Sequence, residues 1–224
     1  SEQVTVAATE QRVYYVNEHD KLAVLTRLFE MEDITTALIF TRTRVRTGEL
    51  VNELNLRGYA SEALSGDLSQ EAREHTMGRF RAGQVKVLVA TDVAARGLDV
   101  EGITHVFNYD LPEESETFVH RIGRTGRAGR TGVAISLARP SERRQVRQIE
   151  QFTHQVMLEG TVPTIEDIQA KRMDSLLSKI ETWLKRGRAK EERALVETLV
   201  ASGVDPIDMA AAALKVARAE EKQR

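Results

Sequence analysis

Through roughly its first 140 residues the chain alternates short apolar runs with longer stretches in which apolar residues return every three or four positions. That alternation admits little besides a parallel α/β sheet, because a parallel strand must be followed by a crossover, normally a helix, before the next strand begins. Strands are predicted at residues 12–16, 37–41, 60–64, 85–91, 104–109 and 133–137, the fourth and sixth being almost wholly apolar, as burial on both faces demands. Between them, residues 21–30 place Leu22, Leu25, Leu28 and Phe29 on one helical face, and residues 45–56 do the same with Val45, Leu50, Leu54 and Leu56. Ser69 is placed to cap a helix running to Arg81, with Gly83 to end it.

Beyond Pro140 strand-like runs vanish and only amphipathic helices are expected, which divides the chain into domains 1–150 and 151–224. Pro163 and Thr164, with Glu166 and Asp167 in the first turn, open a helix carrying Ile168, Leu176, Leu177, Ile180, Trp183 and Leu184, and Gly187 breaks it. A second helix spans residues 191–200, and Asp205 with Pro206 starts a third, Ala-rich one through Ile207, Met209, Ala213, Leu214 and Ala217. Three helices in so short a span enclose too little interior to be stable alone, so their apolar faces should rest on the first domain or on another chain.

The net charge is only -2, yet 24 of the 32 basic residues are arginine. Between Arg121 and Arg147 stand eight arginines and one acid, Glu142, while residues 151–224 balance 12 basic against 12 acidic side chains. A local anion site is implied, because the planar guanidinium fork grips phosphate oxygens in pairs; the bland alternative is an ion-paired surface of thermophile type or biased codon use. The absence of cysteine excludes disulfides, thiol catalysis and Cys-ligated zinc, and five scattered histidines show no metal-ligating spacing, so no metal site is expected in the chain. No apolar run approaches the roughly 18–20 residues of a membrane span, and the opening SEQVTVAATEQR lacks the layout of a secretory signal, so a cytoplasmic protein is expected.

Two segments carry the chemistry. ATDVAARGLD, residues 90–99, follows a buried strand, and ligands of open α/β sheets bind beyond the carboxyl ends of strands; Thr91, Asp92, Gly97 and Asp99 therefore sit where a site belongs. HRIGRTGRAGR, residues 120–130, sets arginines at 121, 124, 127 and 130 among three glycines, so backbone N–H groups and guanidinium forks can both approach an anion.

With LIFTRTR (38–44) and SGDLSQEAREHTMGRFRAG (65–83), the segments VLVATDVAARGLDV (87–100) and HRIGRTGRAGR (120–130) resemble, in order and spacing, motifs IV, IVa, V and VI of superfamily 2 helicases in the form found in DEAD-box RNA helicases. The resemblance extends over about residues 10–150. It implies a RecA-like parallel sheet flanked by helices, followed here by an all-α extension, and a role as the C-terminal RecA-like domain that faces an N-terminal RecA-like domain and completes an ATP site between them. These residues contain neither a G-x-x-x-x-G-K-[ST] loop nor an Asp-Glu-Ala-Asp run, so Mg2+ is expected on the N-terminal domain and the fragment alone is expected to be inactive.

By the same resemblance Arg124 and Arg127 match arginine-finger positions, and Gly97 and Asp99 the nucleotide side of motif V. Arg96, His120 and Arg121 match interdomain positions, with a purely structural role open for His120. Arg42, Gly66, Asp67 and Thr91 match positions that hold the RNA backbone; Arg44 and Arg46 fit either RNA contact or a solvated helix face, and Gln70 and Arg73 fit either loop positioning or surface ion pairing. The tail resembles extensions of some bacterial members, and homodimerisation through 151–224 is favoured over packing as a platform within one chain. The rival functions are a non-catalytic RNA-binding or dimerisation scaffold and a DNA-remodelling relative.

Overall fold

The computed structural model describes residues 9–97, 102–126 and 131–221, which divide into two compact units, one through Ile165 and one from Glu166. In the first unit the order is β1 (Thr9–Tyr15), α1 (Lys21–Met31), β2 (Ala37–Phe40), α2 (Arg44–Leu56), β3 (Ser61–Leu64), α3 (Gln70–Arg81) and β4 (Val87–Ala90). There follow a one-turn α4 (Asp92–Ala95), β5 (His105–Asn108), α5 (Ser115–Ile122), β6 (Gly132–Ala138), α6 (Arg143–Thr153) and β7 (Leu158–Glu159). The strands form one sheet in the order β3-β4-β2-β5-β6-β1-β7, and every pairing is parallel. All four residues of β2, of β4 and of β5 are buried, because helices cover both faces.

One layer packs Leu25 and Leu28 of α1 and Leu50 and Leu54 of α2 against Ile39, Val89, Phe107 and Leu137. The opposite layer packs Met77 and Phe80 of α3 against Leu38, Leu88 and Val106, and Phe118 and Ile122 of α5 with Val146 and Ile149 of α6 against Val13 and Ala134. Each fully buried Leu, Ile or Phe contributes about 1.5–3 kcal/mol relative to an exposed position, so the alternating pattern is also the main source of stability.

Local signals act where they were read. Ser69 caps α3 by accepting the Ala72 amide, and Gly83 follows it with φ +71. Three departures have physical reasons. β4 stops at Ala90 because Thr91 turns out of the sheet to cap α4. β1 begins at Thr9, earlier than predicted, with Thr9 and Gln11 buried despite their polarity; the Gln11 amide donates to Gln155. The expectation that strands end before Pro140 fails at β7, which pairs with Arg12 and Val13; here Gly160, whose missing Cβ makes room for the Tyr14 ring, donates its amide to Val13. α6 and β7 fall in the first compact unit, which runs through Ile165.

The second unit holds α7 (Ile165–Arg186), α8 (Lys190–Ala201) and α9 (Pro206–Glu221). Asp205 caps α9 by accepting the amides of Ile207 and Asp208. Leu177, Trp183, Leu184, Leu195, Leu199 and Ile207 are exposed.

Candidate functional site

Parallel strands deliver their carboxyl ends to one edge, and the polar residues singled out in the sequence follow those ends. Thr41 to Thr43 follow β2, Gly66 and Asp67 follow β3, Thr91 and Asp92 follow β4, and Asp110 follows β5. The organising group is Arg121 on α5. It is 2% exposed, and its guanidinium donates to both Asp92 carboxylate oxygens at 2.6 and 2.8 Å, to Asn108 Oδ1 at 3.1 Å and to the Asp110 carbonyl at 2.7 Å, over the face of Phe40. Arg121 therefore faces inward and joins the loops after β4 and β5 to α5 within this chain. Four of its five N–H donors are engaged inside this unit, which gives Arg121 a structural task whatever it does toward another domain.

Around that pair opens a cleft of about 260 Å³ whose wall includes Asp92, Arg96, Thr117, His120 and Arg124. His120 lies one turn along α5 from Glu116, its Nε2 3.8 Å from the carboxylate. Gly97 has φ +72, a left-handed conformation that favours glycine. Asp99 and Arg127 lie outside the described residues. Arg73 on α3 donates to the Arg96 carbonyl at 3.3 Å, so the Q-x-x-R arginine supports the adjoining loop, while Gln70 bonds Glu74 on its own helix.

The loop after β2 is held from several sides. Thr41 and Thr47 share a buried hydroxyl contact of 2.7 Å, Thr43 caps α2 through the Arg46 amide, and Asp110 accepts the Arg42 amide at 2.9 Å. The other Asp110 oxygen meets Lys21, a buried lysine that also contacts Glu18. The Arg42 side chain is exposed, Asp67 pairs with Arg44, and Arg46 lies over the Tyr109 ring and contacts Glu18. Burial pushes the Tyr109 hydroxyl up to about 12, so it stays neutral beside Arg46. Sequence reading missed Asn108 and Asp110 as parts of this edge; the available signal was polar residues closing an otherwise apolar strand in HVFNYD.

Residues 20–129 match the helicase conserved C-terminal domain family, and residues 163–224 the RNA helicase DeaD dimerization domain family. Among curated proteins, the DEAD-box ATP-dependent RNA helicase CshA of Bacillus subtilis is 39% identical over 98% of this chain and 44% of its own length. CshA of Geobacillus kaustophilus is 44% identical over 81% of this chain and 40% of its own length. The chain thus spans less than half the length of these relatives. Among solved structures, the E. coli DEAD-box protein SrmB bound to regulator of ribonuclease activity A is 36% identical with TM-score 0.66, over 71% of this chain and 93% of that chain. S. cerevisiae Dbp5 bound to RNA and ADP BeF3 is 32% identical with TM-score 0.66, over 77% of this chain and 45% of that chain. The ordered motifs, the parallel RecA-like sheet with its helical extension and both family matches make this chain the C-terminal part of a member of the DEAD-box RNA helicase family.

Proposed function

We propose that the chain is the C-terminal motor half of an ATP-dependent RNA helicase, acting against an N-terminal RecA-like domain of the same protein. The observation that carries this reading is that Arg124 shares one cleft with Arg96, His120 and the Asp92-bound Arg121. Cationic and proton-bearing side chains around an open cleft, with the Asp92 carboxylate already neutralised, suit a phosphate chain. ATP, when bound, supplies the phosphoanhydride whose cleavage drives the cycle. Arg124, with Arg127, meets the negative charge that grows on the transferring phosphoryl group once the two domains close. Gly97 and Asp99 flank the nucleotide in motif V, and Arg96 and His120 face the other domain. The accompanying Mg2+ is assigned to the N-terminal domain, following the arrangement the motifs imply.

RNA is held along the neighbouring loops by Arg42, the Gly66 and Asp67 backbone and Thr91, without reading bases. Support comes from the open space at Gly66, where a side chain would meet nothing within 4 Å, and from the exposure of Arg42. Two ligands that each contact both domains favour the closed arrangement, and closure strains a short duplex. Residues 163–224 match a dimerisation family and expose apolar residues on three helices, which supports homodimerisation through this region.

The test is RNA-stimulated ATP hydrolysis by the full-length protein with Arg124→Ala. Turnover should fall by about 10³-fold while nucleotide binding stays within a few-fold; unchanged turnover overturns the assignment. Equal stimulation by DNA points to the remodelling alternative, and no turnover by the unsubstituted protein points to the scaffold.

A further inference from the structure

The turn that carries Arg124 is anchored by its neighbour. Thr125 is 1% exposed, and its hydroxyl lies 2.6 Å from the Ile103 carbonyl, to which it donates, and 3.1 Å from that of Thr104. Those two carbonyls belong to the segment that leads from motif V into β5. The segment is itself pinned to Thr36: the Thr36 hydroxyl donates to the Gly102 carbonyl at 2.5 Å and the Thr104 hydroxyl to the Thr36 carbonyl at 2.8 Å. On its other side Thr125 meets Gly132, the first residue of β6. A Cβ on Gly132 would collide with the Thr125 hydroxyl and the Gly126 amide. Main-chain bonds from Arg124 to Arg121 and from Thr125 to Ile122 continue α5 into this turn.

A threonine chosen for turn formation would bond its own backbone. Thr125 instead spends its one proton on a segment more than twenty residues away in sequence, against a glycine that only the absence of a side chain lets it approach. We propose that Thr125 is a positioning residue for Arg124: it locks the motif VI turn to the segment that enters β5 so that the guanidinium is preset for the transferring phosphoryl group. The inference rests on the finger role given to Arg124 above. A preset donor is worth far more than a mobile one, because reorganisation is avoided at the moment of reaction.

The experiment uses the full-length protein with Thr125→Val, which keeps the shape and removes the proton, Thr125→Ser, which keeps the proton, and Arg124→Ala as reference. Single-turnover ATP cleavage, KM for ATP, RNA affinity and thermal melting are measured for each. Thr125→Val should lower the cleavage rate by about 10–100-fold with KM and RNA affinity within about two-fold, and Thr125→Ser should restore most of the rate. Gly132→Ala, which displaces Thr125 without removing its hydroxyl, should lower the rate in the same way. If Thr125→Val melts earlier but cleaves at the unsubstituted rate below its melting temperature, the residue is merely structural and the proposal fails. It fails equally if serine does not rescue. Should Arg124→Ala itself cleave normally, the finger reading falls first, and Thr125 loses its purpose with it.

Discussion

Asp92 and Arg121, separated by 29 residues in sequence, form a two-pronged pair at 2.6 and 2.8 Å that ties the loop after β4 to α5. Arg121 is buried, whereas the side chain of Asp92 keeps 41% of its exposure and so still presents a face to the cleft. The pair is therefore a hinge pin for the site more than a source of net stability, since desolvation offsets most of the Coulomb gain.

Removing one partner is a different matter, because it strands the other. Arg121→Ala leaves Asn108 buried without its donor and should destabilise the sheet domain by about 3–5 kcal/mol. Asp92→Asn, which keeps one acceptor, should cost about 1–3 kcal/mol. Urea denaturation of the chain followed by circular dichroism reads both, and equal stability of Arg121→Ala and the parent chain would show that the network carries no energy.

At the opposite end of the sheet, hydrogen bonds from His105 and Arg12 hold the Glu32 carboxyl at about 2, against an ordinary value of 4.5, although partial burial pulls the other way. A carboxyl depressed in the folded state contributes stability that is complete above 4.5 and is lost as pH falls toward 2. The chain should lose about 1–2 kcal/mol from this group across that window after allowance for solvent screening. Glu32→Gln should be less stable than the parent at pH 7, with the difference shrinking toward pH 2. A difference that is constant with pH, measured by urea melts at closely spaced pH values, would contradict the pairing.

Binding of RNA by backbone contacts predicts a dependence on salt and not on sequence. Arg42→Ala in the full-length protein should weaken affinity uniformly across unrelated single strands and reduce the slope of log K against log salt by about 1. Fluorescence anisotropy over a range of salt concentrations decides it, and an unchanged slope would remove Arg42 from the interface.

The exposed Trp183 of α7 and Leu199 of α8 offer a direct probe of the second unit. Sedimentation at micromolar concentration should show a dimer, and Trp183→Glu with Leu199→Glu should give a monomer whose sheet domain melts at the parent temperature. A monomer before substitution would end the dimer proposal.

Much of this molecule was legible in one dimension because the signals involved act over a few residues. Period and chain punctuation placed α1, α2 and α3 to within a residue or two, and the apolar runs found six of the strands. The helix starts at Ser69 and Asp205 could be read because a cap is a bond between neighbours. β7 escaped because a two-residue strand has no period and exists only through its register with β1. Arg121 and Thr125 show the same limit within the site. As letters in HRIGRTGRAGR they carry no mark of their partners, and the sequence supplied expected roles only through the resemblance of the motif. Which arginine turns inward to Asp92, which remains at the cleft, and which hydroxyl reaches Ile103 were decided by the fold, because each partner arrives from a different strand end and is chosen by the burial the packed sheet imposes.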